Sequence, residues 1–369
     1  MTQVIAAAGR QGALILQLIA LSFRAQWIFY VVPLVYLGTN WMMLSSLPSY
    51  GKAPLIELLL DLVTFSIPVG LTVALIVRLI QYAVFEKPES PVRALAGDVG
   101  RLLRSPAHII NALPVFFAMV FFNKAMVELK PAIPALKPFS YDTAMMAFDR
   151  LLHFGTDPWV LLQPVLGYGW VTFLVNIAYN FWFIALFGAW FWFGFHKQAS
   201  ELRTRFFLSY MLSWWIGGGL LAVFFSSAGP CYYSLIGLTP DPFAPLMAYH
   251  QAVDQTIPLW FLDTQTLLWD GYQGKTLALG ISAFPSMHNA SAILFALAFR
   301  HVNKGLGRFF GVYALIILVG SVHLGWHYAV DGYAGILIGL VSWKLAEPVA
   351  RWFTNLSTTR RFNEGLASL

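Results

Sequence analysis

Long apolar runs without a single charge constrain this chain more than any other feature. No Asp, Glu, Lys or Arg occurs from 168 to 195, or again from 206 to 228. A helix of about 20 apolar residues crosses the hydrocarbon core of a bilayer. A lone strand cannot satisfy its backbone there. Only 11% of the 369 residues are charged, against roughly a quarter in a soluble domain, and they cluster between the runs. The sequence therefore reads as all-α: a polytopic membrane helical bundle with about eight transmembrane helices. They are expected at 26–47, 55–84, 106–127, 168–195, 206–228, 284–300, 308–325 and 327–346. Glu57 and Asp61 near the start of the second run, and Arg78 near its end, shorten its apolar centre.

The basic residues orient the bundle. With the N-terminus inside, the inner segments hold all but six of the 23 Lys and Arg residues, and the outer ones hold Lys52, Lys124, Lys130, Lys137, Arg150 and Lys275. That bias puts both termini in the cytoplasm. It also accounts for the net charge of +6: the charge sits in short loops between spans, so nucleic acid is not an expected partner. Cys231 is the one cysteine, which excludes an intrachain disulfide and a C-x-x-C site. The apolar stretch Ala13 to Phe23 lacks a convincing cleavage site, and residues 1–24 read as an uncleaved segment along the cytoplasmic face.

Four units follow. Residues 1–105 hold an N-terminal segment and the first two spans. Residues 106–204 hold two more spans and an outer amphipathic loop. Residues 205–350 form a candidate catalytic membrane core, and 351–369 a cytoplasmic tail. Outer loops near 128–167 and 229–283 are long enough to suggest function. Tyr141 to Phe154 has helical apolar spacing and reads as an interfacial helix over the bundle.

Two short segments carry chemistry: Ala-Phe-Pro-Ser-Met-His at 283–288 and His-Tyr-Ala-Val-Asp at 327–331. His288 opens the sixth run and His327 the eighth, so both fall at the outer surface. Asp331 follows His327 by four residues, which on a helix gives the two a common face. A carboxylate there orients one imidazole nitrogen and leaves the other free to attack. His288 suits proton delivery to a leaving oxygen. Ser286 can donate to a phosphate oxygen, as can the first N–H groups of the helix. His323, His327 and Asp331 also stand at four-residue intervals, the spacing of a helical metal face, but Gly325 intervenes and no metal is expected. His250 and Asp254 read as a local hydrogen-bonded pair.

The two segments together resemble the second and third motifs of the type 2 phosphatidic acid phosphatase (PAP2) superfamily. Phe284-Pro285-Ser286-Met287-His288 and His327-Tyr328-x-Val330-Asp331 look most like the branch containing fungal inositol phosphorylceramide synthase, as does Ala-Gly-Pro-Cys-Tyr-Tyr at 228–233. The resemblance covers roughly 205–346. It implies that His327 is the nucleophile forming a phosphohistidine, Asp331 its orienter and His288 the acid–base, with no metal or organic cofactor. The implied partners are a phospholipid donor and a lipid alcohol or water acceptor, within a bilayer.

The chain departs from the ordinary phosphatase pattern. Gly229-Pro230 stands where that pattern has Arg-Pro, and Ser321 stands where it has an Arg six residues before the nucleophile. A different cation must then hold the phosphate. Lys275 is first among Lys275, Lys137 and Arg150, because it is nearest His288 in sequence. The expected activity is a lipid phosphotransferase. The alternatives are a lipid phosphatase acting on a phosphatidate or polyprenyl phosphate, and a non-catalytic lipid transporter. The compact loops lean towards a bacterial inner membrane with the site on the periplasmic side.

Overall fold

A computed structural model describes residues 2–47, 56, 60, 67–276 and 280–369. Every regular element among them is helical. Helix α1 (Thr2–Ala25) leads into α2 (Ile28–Leu44), followed by α3 (Ile67–Gln81), α4 (Pro91–Arg104), α5 (Pro106–Leu136), α6 (Asp142–Leu152), α7 (Pro158–Leu166) and α8 (Gly169–Gly194). Helix α9 (Glu201–Phe224) widens into a π-helix over Trp214–Leu221. The rest are α10 (Ala244–Asp254), α11 (Trp260–Tyr272), α12 (Met287–Val302), α13 (Lys304–His323), α14 (Ala329–Thr354) and α15 (Ser357–Ala367).

Among the described residues, five helices are long and apolar enough to cross a membrane: α5, α8, α9, α13 and α14. Residues 12–25 and 28–44, bent by 53°, would make a sixth span if counted as one. Among the described residues, the eight expected from sequence are thus not all found as separate spanning helices. The run at 284–300 becomes α12, only 16 residues long and packed against α9, α13 and α14. Of the second expected span, residues 55–66 lie outside the described residues except for 56 and 60, and Glu57 and Asp61 are among those left out.

Helix α5 runs well past its expected end near residue 127. Lys124 and Glu128 pair at 2.5 Å across one turn, which offsets their charge and lets the helix continue through Lys130. The segments that read as outer loops are themselves largely helical, in the end of α5 and in α6, α7, α10 and α11. The helix expected within 141–154 is α6.

Helices α12 and α14 cross at close range because α14 presents Gly335 and Gly339, one turn apart. A Cβ at Gly335 would lie 2.1 Å from the Ser286 carbonyl oxygen, and one at Gly339 2.5 Å from the Ile293 side chain. Small residues at this spacing let helix backbones approach in lipid. The contact sets the start of α12, and with it His288, against the first turns of α14.

At the opposite end of the bundle, buried Arg203 donates to Gln26 at 2.6 Å, to the Asn111 carbonyl at 2.7 Å and to the Phe193 carbonyl at 3.1 Å. These bonds satisfy a guanidinium that would otherwise be costly to bury. The two terminal helices meet at this end, where Leu18 and Ala25 of α1 pack with Phe362 and Leu366 of α15.

Candidate active site

The site is knit together by backbone hydrogen bonds between three segments distant in sequence. The Cys231 N–H donates to the Gly325 carbonyl, Ala283 N–H to the Ser227 carbonyl and Ser286 N–H to the Asp331 carbonyl, each at 2.9 Å. The Ser321 carbonyl accepts from both Trp326 and His327, at 3.0 and 3.1 Å. Gly229 closes the assembly with φ of 103°, and a Cβ there would meet the Trp326 carbonyl at 2.7 Å. A glycine at 229 is thus a packing requirement of this turn. Ser321 is fully buried and its hydroxyl donates back to the Leu318 carbonyl at 2.8 Å.

Helix α13 ends at His323, the chain turns through Gly325 with φ of 73°, and α14 begins at Ala329. His327 therefore precedes the helix instead of lying on it. Asp331, in the first turn of α14, accepts the Tyr328 N–H at 3.0 Å as part of a capping box. Its Oδ2 then lies 3.4 Å from Nδ1 of His327. The expected pairing through a shared helical face is replaced by pairing across a helix cap. At 3.4 Å the contact is long for a hydrogen bond, and Nδ1 makes no hydrogen bond in this structure. The turn also separates His323 from His327: the His323 ring meets Thr172 Oγ1 at 2.9 Å. Among the described residues, no three His, Cys, Asp or Glu side chains form a metal-ligand cluster.

His288 is the second residue of α12. Its ring stacks on Tyr179 at 4.8 Å and lies 4.3 Å from the Trp182 ring, both from α8. The His288 and His327 ring centroids are 6.5 Å apart. Both line one cavity of about 310 Å³, walled by aromatic and aliphatic side chains that include Phe183, Trp214, Phe261 and Trp326.

The two residues expected to bind substrate stand elsewhere. Ser286 is fully buried, accepts from Asn289 at 3.0 Å and is not among the residues lining the cavity. Lys275 sits on an exposed turn and pairs with Asp270 at 3.2 Å, also outside the lining. The other two cations are engaged as well. Lys137 donates to the Phe224 carbonyl at 2.6 Å, and Arg150 forms two 2.8 Å bonds to Asp157. His250 does not pair with Asp254, which accepts the Leu259 N–H at 2.7 Å. Its ring is buried against Phe261 and His323, and burial pushes it down to about 3.

Two carboxylates of α6 brace the site, and the sequence pattern did not mark them. Asp142 accepts the N–H groups of Ala228 and Gly229, at 2.9 and 2.8 Å, and the Tyr328 hydroxyl at 3.0 Å. Asp149 accepts those of Ala329 and Val330, both at 2.8 Å. Burial raises both carboxyls, Asp149 to about 6. Their spacing of seven on an amphipathic helix, pointing the same way as the apolar face, is the signal that could have found them.

The family model described as the PAP2 superfamily matches residues 143–345. No curated protein matches the chain, and no solved structure does.

Proposed function

Because the chain belongs to the PAP2 superfamily, whose members are phosphatases or phosphotransferases, we propose that it is a membrane lipid phosphotransferase working through a phosphohistidine on His327. The observation that carries this reading is the pair of imidazoles on one cavity, with Asp331 behind the second. With Nδ1 turned to Asp331, Nε2 of His327 is the nitrogen left to attack. It forms a bond to phosphorus as the bond to the donor's leaving oxygen breaks. His288 delivers a proton to that oxygen. In the second half, His288 takes a proton from the acceptor hydroxyl, whose oxygen attacks phosphorus, and the electron pair of the N–P bond returns to His327. Asp331 steadies the imidazolium character that develops on His327.

An acceptor that is a lipid alcohol fits a cavity walled by Phe183, Trp214, Phe261 and Trp326 better than bulk water does. The motif-level resemblance to inositol phosphorylceramide synthase points the same way. In this reading 205–350 is the catalytic core, with the outer helices of 106–204 docked on it. Ser286 acts by fixing the start of α12, not by touching phosphate. The site faces the non-cytoplasmic side, which in a bacterium is the periplasm.

The test is lipid mass spectrometry of the purified protein with a phospholipid panel plus ceramide and diacylglycerol, in parallel with His327→Ala. A new head-group-bearing lipid, absent with the variant, supports the transferase. Loss of head group or phosphate without a lipid product would make the protein a hydrolase. Full activity of His327→Ala would overturn both.

A further inference from the structure

We infer that Lys130 is the cation that holds the substrate phosphate, with Tyr179 and Trp326 as neutral donors beside it. This rests on the phosphotransfer reading and supplies the charge that reading lacks. Lys130 comes from the extended end of α5, outside the segment matched to the family. It lines the same cavity as His288 and His327 and is within electrostatic range of both rings.

Three features single it out. Lys130 has no ion-pair partner among the described residues, whereas Lys275 and Arg150 have theirs. Among the described residues no Asp or Glu lines the cavity, so none of them neutralises the ammonium. Two other lining residues, Tyr179 and Trp326, keep a buried O–H and N–H without an acceptor. Unpaired buried donors are uncommon. Two of them on one cavity, beside a lysine with no acid opposite, describe a pocket that is completed by an oxyanion. A phosphate monoester or diester meets all three demands, since its oxygens accept while phosphorus faces the imidazoles.

The position also explains why the ordinary arginines are dispensable. A cation reaching in from α5 replaces a clamp that Ser321 and Gly229 cannot provide. A half-buried ammonium without an acid partner in an apolar wall is unfavourable in the empty protein, so it is expected to lower stability until an anion binds.

The probe is inorganic phosphate, titrated into the full-length protein in detergent micelles by calorimetry, which requires no turnover. Wild type, Lys130→Met, Lys130→Arg and Lys275→Met are compared. Lys130→Met should bind phosphate at least tenfold more weakly, Lys130→Arg should recover most of the loss, and Lys275→Met should match wild type. Without phosphate, Lys130→Met should melt at or above the wild-type temperature. A lysine with only a structural role would instead lower melting and leave phosphate binding intact. Equal binding by Lys130→Met, or no binding by wild type, overturns the assignment. His327→Ala, run in the same titration, separates the two claims: it should still bind phosphate even if the phosphohistidine reading fails.

Discussion

The carboxylate of Asp149 accepts the backbone N–H of Val330 at 2.8 Å, from a helix 181 residues earlier in the chain. A second bond of 2.8 Å goes to Ala329. Helix α6 therefore adds to the local cap that Asp331 makes on α14, and it holds the turn that begins at His327. An amphipathic segment that could have floated on the membrane is instead part of the site's frame.

Removing that cap should loosen the turn. Asp149→Ala is expected to cost about 1–3 kcal/mol, the range for charge-assisted bonds to buried donors. It should lower kcat more than it raises KM, because His327 loses its position while the cavity wall is kept. Thermal melting and steady-state kinetics check the two parts.

Asp149 also sets a pH dependence. Burial raises its folded carboxyl to about 6, while an unfolded aspartate titrates near ~4. Between these values the native state holds a proton that the unfolded chain has released. Stability from this group is therefore full below about pH 4 and falls as pH rises towards 6. Asp149→Asn should remove that slope. Melting temperatures of the two proteins across pH 4–7 give the comparison, and parallel curves would contradict it.

Asp331→Asn should leave the fold in place and reduce kcat by roughly 10²–10⁴-fold, as expected when an imidazole loses its orienting carboxylate. Donor KM should change little, since Asp331 is fully buried behind His327 and does not line the cavity. A large rise in KM with unchanged kcat would assign Asp331 to binding.

The close crossing of α12 and α14 predicts a defect from a single methyl group. Gly335→Ala sets a Cβ against the Ser286 carbonyl, so the start of α12 must shift. Overpacking of this kind costs about 1–3 kcal/mol, and the shift carries His288 with it. Activity should fall further than stability alone explains, which a paired melting and activity measurement would show.

The legibility of this protein in its sequence divides along physical lines. The apolar runs at 168–195 and 206–228 were readable because lipid permits so few structures. His288, His327 and Asp331 were readable as a set because each motif opens an apolar run. The number of spans was less legible. A run such as 284–300 is equally apolar whether it faces lipid or, as α12, is packed inside the bundle. The phosphate-holding cation was not legible either. Lys275 is nearest in sequence, but distance along the chain says little when a turn exposes it to Asp270. Lys130 reaches the cavity only because α5 continues past its apolar centre. Asp142 and Asp149 act mainly on backbone groups, so only their spacing of seven along the apolar face of α6 marks them in the sequence.

The central claim is a covalent bond between His327 and phosphorus, and the most direct measurement is its capture. Protein incubated with a phosphorus-labelled phospholipid donor, without lipid acceptor, is quenched in alkali, where phosphohistidine survives, and digested for peptide mass spectrometry. The account predicts a phosphorus-bearing adduct on His327 that forms within the first turnover, disappears when acceptor is added and is absent from His327→Ala. Product formation with no adduct at His327, or an adduct that persists in His327→Ala, would contradict it.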